Sequence, residues 1–169
     1  VLAYSDHLTQ RQLLLMAGAS ELLLHPMGEV SWKGHAVTRL YLKNMLDRFG
    51  VRVRAVAIGR YKTAAEMFTD SAMSAPEREQ VGVYLEQLWS ETVESVATGR
   101  KVDAESLRAL ARRQPVLNPD EARQAGLIDA IADYDGVLER LKRLAEWDPE
   151  AKTFAQVSLD DYRREGQAS

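Results

Sequence analysis

The residue most able to do chemistry is Lys62, in the stretch "GRYKTAAEMF" at positions 59–68. It is followed by Ala64, Ala65, Met67 and Phe68, so a charged amine is set in an apolar run of sequence. A lysine acts as a general base only when neutral, and with a reference pKa near ~10.4 only about one in two thousand is neutral at pH 7. Desolvation must lower that value by roughly 2 to 3 units, at a cost of about 3 to 4 kcal/mol. Packing at the end of a strand against two alanines, a methionine and a phenylalanine would supply the desolvation. An ordinary lysine that snorkels to water is the alternative, and spacing alone leaves both readings open. Glu66 opposes the basic role. If 62–66 were helical it would lie one turn from Lys62, where a carboxylate favours the ammonium form. A basic Lys62 therefore requires Glu66 to point elsewhere or to be engaged by another group. Thr63 adds a hydroxyl next to the lysine.

Other reactive groups are sparse. The three histidines, His7, His25 and His35, fall in different elements without an H-E-x-x-H spacing, so no metal centre is expected. Asp6 and His7 are adjacent, but neighbours in a strand face opposite sides, which argues against a catalytic pair. His25, beside Pro26, reads as a strand-end structural residue and His35 as a loop residue. With no cysteine there is neither a disulfide framework nor a thiolate nucleophile. The G-x-S-x-G elbow, the phosphate-binding loop and the dinucleotide glycine pattern are all absent, so no organic cofactor is expected. A balance of 22 basic against 25 acidic residues gives a formal charge of −3, no footprint for a nucleic-acid backbone. Trp32 and Met27, in the loop "MGEVSWKGH", would shape an apolar groove or a subunit contact, or else pack on the loop's own core.

The elements that must position Lys62 come next. The chain opens on the strand-like "VLAY". "TQRQLLLMAGAS" (9–20) reads as a helix capped by Thr9, and "ELLLHP" (21–26) as a short buried strand. "AVTRLYLKNMLDRFG" (36–50) has nearly helical apolar spacing with Gly50 as its stop, and "VRVRAVAI" (51–58) alternates as a strand should. This order argues a mostly parallel α/β sheet, with Lys62 just past its third strand. Ser74, Pro76 and Glu77 start a long helix running to about Thr98. Asp103 caps a helix over 103–114, and Asn118 with Pro119 opens another that ends before Gly126. "LIDAIAD" (127–133) reads as a strand and 134–147 as a helix. A strand, a helical turn and a polar tail complete the chain. The longest apolar run, "LLLMAGA", is too short to span a membrane, and no signal-peptide pattern is present. The chain reads as a fragment or processed product.

Residues 59–79, "GRYKTAAEMFTDSAMSAPERE", resemble the lysine segment of the signal peptide peptidase A family (protease IV, peptidase family S49). Its pattern is Tyr-Lys-Ser/Thr-Ala, then Glu-x-Phe, then Met-Ser at a helix start. "YLKNMLDRFGVRVRAVAIG", "LNPDEARQAGLIDAI" and "VSLDDYRREG" are similar to further segments of the same family, so nearly the whole chain is covered. The resemblance implies an α/β fold of the ClpP/crotonase type, a spiral of β-β-α units, with helices 75–98 and 103–113 outside the central sheet. It implies a domain over 1–150 carrying the catalytic lysine and a connector over 151–169 toward a second, serine-bearing half. It implies a serine endopeptidase with a Ser/Lys dyad, Lys62 being the general base and Thr63 a supporting hydroxyl. Gln10 stands where the nucleophilic serine would be, as expected of the amino-terminal half of the long two-part form, so this piece alone should be inactive. Signal peptides and other apolar peptides would be the substrates, the carboxy-terminal half and further copies in a ring or dome the partners, and the extracytoplasmic side of the bacterial inner membrane the location. The alternative is a non-catalytic oligomerisation module of the same fold. An acyl-CoA enzyme of that fold lacks support, because no second oxyanion-loop glycine pattern is found.

Overall fold

A computed structural model describes residues 1–56, 58–148 and 153–166, which divide into two compact units: residues 1–31 with 116–166, and residues 32–115. The first unit begins with strand β1 (Leu2–Ser5), helix α1 (Gln10–Met16) and strand β2 (Glu21–Leu24). α1 starts where the sequence says it should. Thr9 Oγ1 accepts the Gln12 N–H at 3.3 Å and the Gln12 side chain accepts the Thr9 N–H at 2.9 Å, a reciprocal cap. The crossover through α1 lays β2 parallel to β1, with Leu2 opposite Glu21 and Ser5 opposite Leu24. Gly28, in the following loop, has no room for a side chain, since a Cβ there would lie 2.4 Å from the Asp6 carbonyl oxygen. Strand β3 (Val30–Ser31) closes this stretch.

The second unit carries α2 (Lys43–Arg48), α3 (Glu66–Thr69), α4 (Ala75–Arg100) and α5 (Ala104–Arg113). Ser74 and Asp103 cap α4 and α5 by accepting the N–H of the third helical residue, Glu77 and Ser106, at 3.2 and 2.7 Å. Trp32 is fully buried here, donating its ring N–H to the Leu107 carbonyl at 2.9 Å and packing 4.9 Å from Trp89, so it belongs to its own unit's core. Two expectations are corrected in this unit. The helix over 36–50 is only α2: the Leu42 N–H donates to the Met67 carbonyl at 2.7 Å, which draws the preceding stretch to α3 instead of into a helix. The strand expected over 51–58 does not form in the described part of that run. No described segment offers it a ladder, and Val56 and Ile58 are 96% and 83% exposed.

The chain returns to the first unit as β4 (Val116–Leu117), α6 (Pro119–Gln124), β5 (Ala130–Ile131), α7 (Tyr134–Leu144), β6 (Trp147–Asp148), β7 (Thr153–Phe154) and α8 (Leu159–Gly166). β5 becomes the third strand of a parallel sheet in the order β1-β2-β5, the place the sequence reading had given to 51–58. Asp129 sets it there: its carboxylate accepts the Leu22 N–H at 2.7 Å and its own N–H donates to the Leu22 carbonyl at 2.9 Å. β2 thus lies between two parallel partners, and Leu22, Leu23 and Leu24 are fully buried, as the centre of a parallel sheet requires. An Arg140–Glu21 ion pair ties α7 to β2. β3 pairs antiparallel with β4, and β6 with β7. The fold is α/β. Among the described residues no helix is long and apolar enough to cross a membrane.

Candidate active site around Lys62

Gly59 opens the Lys62 segment with φ +116°, a conformation that residues with a Cβ rarely adopt. The Lys62 N–H then donates to the Gly59 carbonyl at 3.3 Å and the Glu66 N–H to the Thr63 carbonyl at 3.0 Å, which folds the segment into α3. Lys62 itself is exposed. Its apolar neighbours in sequence do not bury it, because Met67 and Phe68 are themselves exposed. The lysine lines a cavity of ≈ 600 Å³ together with Leu40, Tyr41, Tyr61, Ala64 and Met67. Thr63, half-buried, lines the same cavity.

The cavity's polar wall is built around the first turn of α4. Glu77 is buried, accepts the Tyr41 hydroxyl at 2.5 Å and faces Arg39 Nε at 3.5 Å. Burial, followed by the hydrogen bond to Glu77 and the charges of Glu77 and Glu66, pushes the Tyr41 phenol up to about 12 against the opposing pull of Arg39. Tyr41 therefore stays a neutral donor in the physiological range. Ser74 joins two elements: its oxygen accepts the Glu77 N–H and its hydroxyl donates to Glu66 Oε1 at 2.8 Å. Glu66 is thus engaged by Ser74, and the Lys62 ammonium forms no ion pair with any described residue. Nearby, Glu79 accepts from Arg60 at 3.1 Å and from the Tyr61 hydroxyl at 3.2 Å, fixing the aromatic lip beside Lys62.

The remaining sequence candidates have other surroundings and partners. Gln10 is the first residue of α1 in the other unit. Asp6 accepts the Tyr4 hydroxyl at 2.6 Å while His7 Nδ1 faces Glu29 at 3.4 Å, so the two adjacent residues do not pair. His25 Nδ1 accepts the Met27 N–H at 3.1 Å, and His35 Nε2 lies 3.2 Å from the Thr92 hydroxyl. Sequence reasoning missed the roles of Arg39 and Tyr41, and gave Ser74 and Glu77 only a capping function. Tyr41 carried no distinguishing signal, since its partner is 36 residues away. Ser74 lies eight residues beyond Glu66 and was found as a cap because capping is local.

A chain from Salmonella typhi named "Protease 4" is 28% identical over 169 residues, covering 96% of this chain and 27% of the relative. "Protease 4" of Haemophilus influenzae is 32% identical over 113 residues, covering 67% of this chain and 18% of the relative. "Serine protease SPPA, chloroplastic" of Arabidopsis thaliana is 27% identical over 135 residues, covering 78% and 19%. The chain therefore spans about a quarter or less of the length of these curated relatives. The model of peptidase family S49 matches residues 1–160, almost the whole chain, and its ClpP-like architecture agrees with the α/β fold and parallel sheet seen here. The chain belongs to peptidase family S49.

Proposed function

We propose that this chain supplies the general base of a serine endopeptidase with a Ser/Lys dyad, Lys62 being the base. The observation that carries the reading is the state of Lys62: it lines a largely apolar cavity, its ammonium has no ion-pair partner among the described residues, and the carboxylate four residues on is held by Ser74. Relatives named as proteases, one as a serine protease, support peptide hydrolysis. In the proposed step neutral Lys62 takes the proton of a serine hydroxyl as its oxygen attacks the peptide carbonyl, and then passes that proton to the departing amine. The serine comes from outside these 169 residues, because the position that would supply it is Gln10, an amide with no nucleophilic oxygen. The partner that brings the serine would also cover Lys62 and provide the desolvation that its exposed position lacks here. Leu40, Tyr61, Ala64 and Met67 would accept apolar side chains, consistent with signal peptides and similar segments as substrates at the extracytoplasmic face of the bacterial membrane. Residues 1–150 would form the lysine-bearing domain and 151–169 the connector to the serine-bearing half.

The test uses the protein at its natural full length. Lys62→Ala should lower kcat/KM by about a thousandfold or more, and Lys62→Arg should fail equally, because a guanidinium stays protonated. Near wild-type activity in Lys62→Arg would refute the general-base role. The 169-residue chain alone should not be labelled by a serine-directed fluorophosphonate. A second reading, a non-catalytic oligomerisation module, draws on the exposed apolar residues Val51, Val53, Val56 and Ile58. It would be selected if Lys62→Ala left proteolysis intact.

A further inference from the structure

We propose that Ser74 is a latch that keeps the Glu66 carboxylate away from Lys62, making Ser74 and Glu66 positioning residues for the base. This rests on the reading of Lys62 given above. Three observations carry it. The Ser74 hydroxyl donates to Glu66 Oε1 at 2.8 Å while its oxygen caps α4, so the latch is anchored to the start of a 26-residue helix. The other oxygen, Glu66 Oε2, is buried with no hydrogen-bond partner among the described residues. A carboxylate with one buried, unsatisfied oxygen has much to gain from any cation it can reach, so the Ser74 bond is what holds it. Finally, the neighbouring cations are taken, Arg39 by Glu77 at 3.5 Å and Arg60 by Glu79 at 3.1 Å, which leaves Lys62 as a cavity-lining cation with no ion-pair partner among the described residues.

Released from Ser74, Glu66 would turn to Lys62. The other charged or titratable groups at the cavity, Arg39, Tyr41, Tyr61 and Glu77, have their own partners and would stay in place. A carboxylate beside an ammonium favours the charged form, so the pH at which Lys62 loses its proton would rise. A base that must be neutral would then work only at higher pH. The latch therefore sets the pH range of the activity without touching the substrate.

Two readouts in the full-length protein test this: the pH dependence of Lys62 Nζ acylation by an amine-reactive ester, followed by peptide mass spectrometry, and the pH profile of kcat/KM. Ser74→Ala should move both midpoints to higher pH by about one unit, equivalent to roughly tenfold less activity at neutral pH. Ser74→Gly costs α4 far less capping energy than alanine and should give the same shift, which guards against a merely destabilised helix. Ser74→Thr keeps the hydroxyl and should show no shift. With Glu66→Gln in the background, removing the Ser74 hydroxyl should move neither midpoint. Unchanged midpoints in both Ser74→Ala and Ser74→Gly, or a shift that survives Glu66→Gln, would overturn the latch. If the acylation midpoint shifts but Lys62→Ala retains activity, the latch stands and the general-base reading falls.

Discussion

Residues 21–24 and 51–58 are both strand-like by sequence, the first a run of leucines after Glu21 and the second a strict alternation of valine or alanine with arginine at its start. The less regular of the two became the centre of the sheet. β2 has its backbone paired to β1 on one side and to β5 on the other, and its three leucines are fully buried. The described part of 51–58 has comparable apolar content, yet its residues are exposed and join no strand ladder among the described residues. The difference teaches that alternation specifies which face a strand would bury, whereas the existence of the strand depends on a neighbour that supplies its hydrogen bonds. An exposed apolar run without a ladder partner is a ready edge for another chain or another part of the same one.

The comparison can be broken most directly by cutting the same kind of side chain from each run. Leu23→Ala, in β2, should destabilise the 169-residue chain by about 3 kcal/mol in chemical denaturation, because it leaves a cavity between two paired strands. Val53→Ala should cost no more than about 0.5 kcal/mol, as expected for a site away from the core. Equal losses at the two positions would mean that 51–58 is packed in solution. Asp129→Ala acts on the neighbour instead of the strand. It removes the carboxylate that accepts the Leu22 N–H and should cost about 2 kcal/mol, whereas a loss near zero would mean that β5 holds its place on β2 without it.

The same distinction explains how much was legible in the sequence. Thr9, Ser74, Asp103 and Asn118 all cap the helices they were expected to cap, because a cap joins a side chain to a backbone N–H three residues away and needs nothing else from the fold. The parallel α/β sheet was legible in kind, but its third strand was misplaced. What places β5 on β2 is Asp129, which reaches Leu22 across 107 residues of sequence. The helix over 36–50 was overextended for a similar reason, since its first part is drawn to Met67 by a backbone bond no periodicity records. At the site, Lys62 and the difficulty posed by Glu66 were both visible in one decapeptide. The answer to that difficulty, Ser74, was visible only as a cap. The Tyr41–Glu77–Arg39 wall was invisible, because its residues meet only after the chain has folded.

The smallest effect belongs to the local class and should be independent of anything done to β2. The Asp103 carboxyl is held below the usual carboxylate range by its hydrogen bonds to Ser106, first from the hydroxyl and then from the backbone N–H, with partial opposition from burial. A folded-state value below the unfolded one means that ionised Asp103 stabilises the fold. That contribution is complete above the unfolded value near ~3.9 and is lost as pH falls through the lower folded value. Asn is an equally good cap but does not titrate, so Asp103→Asn supplies the reference. The stability difference between the wild-type chain and Asp103→Asn should be constant from about pH 7 to about pH 5 and should then drift against the wild type as acid protonates Asp103. The same drift should appear in a Leu23→Ala background, since a cap on α5 shares no partner with β2. A difference that stays flat to about pH 3 would mean that the Ser106 bonds do not distinguish the ionised carboxyl from the protonated one.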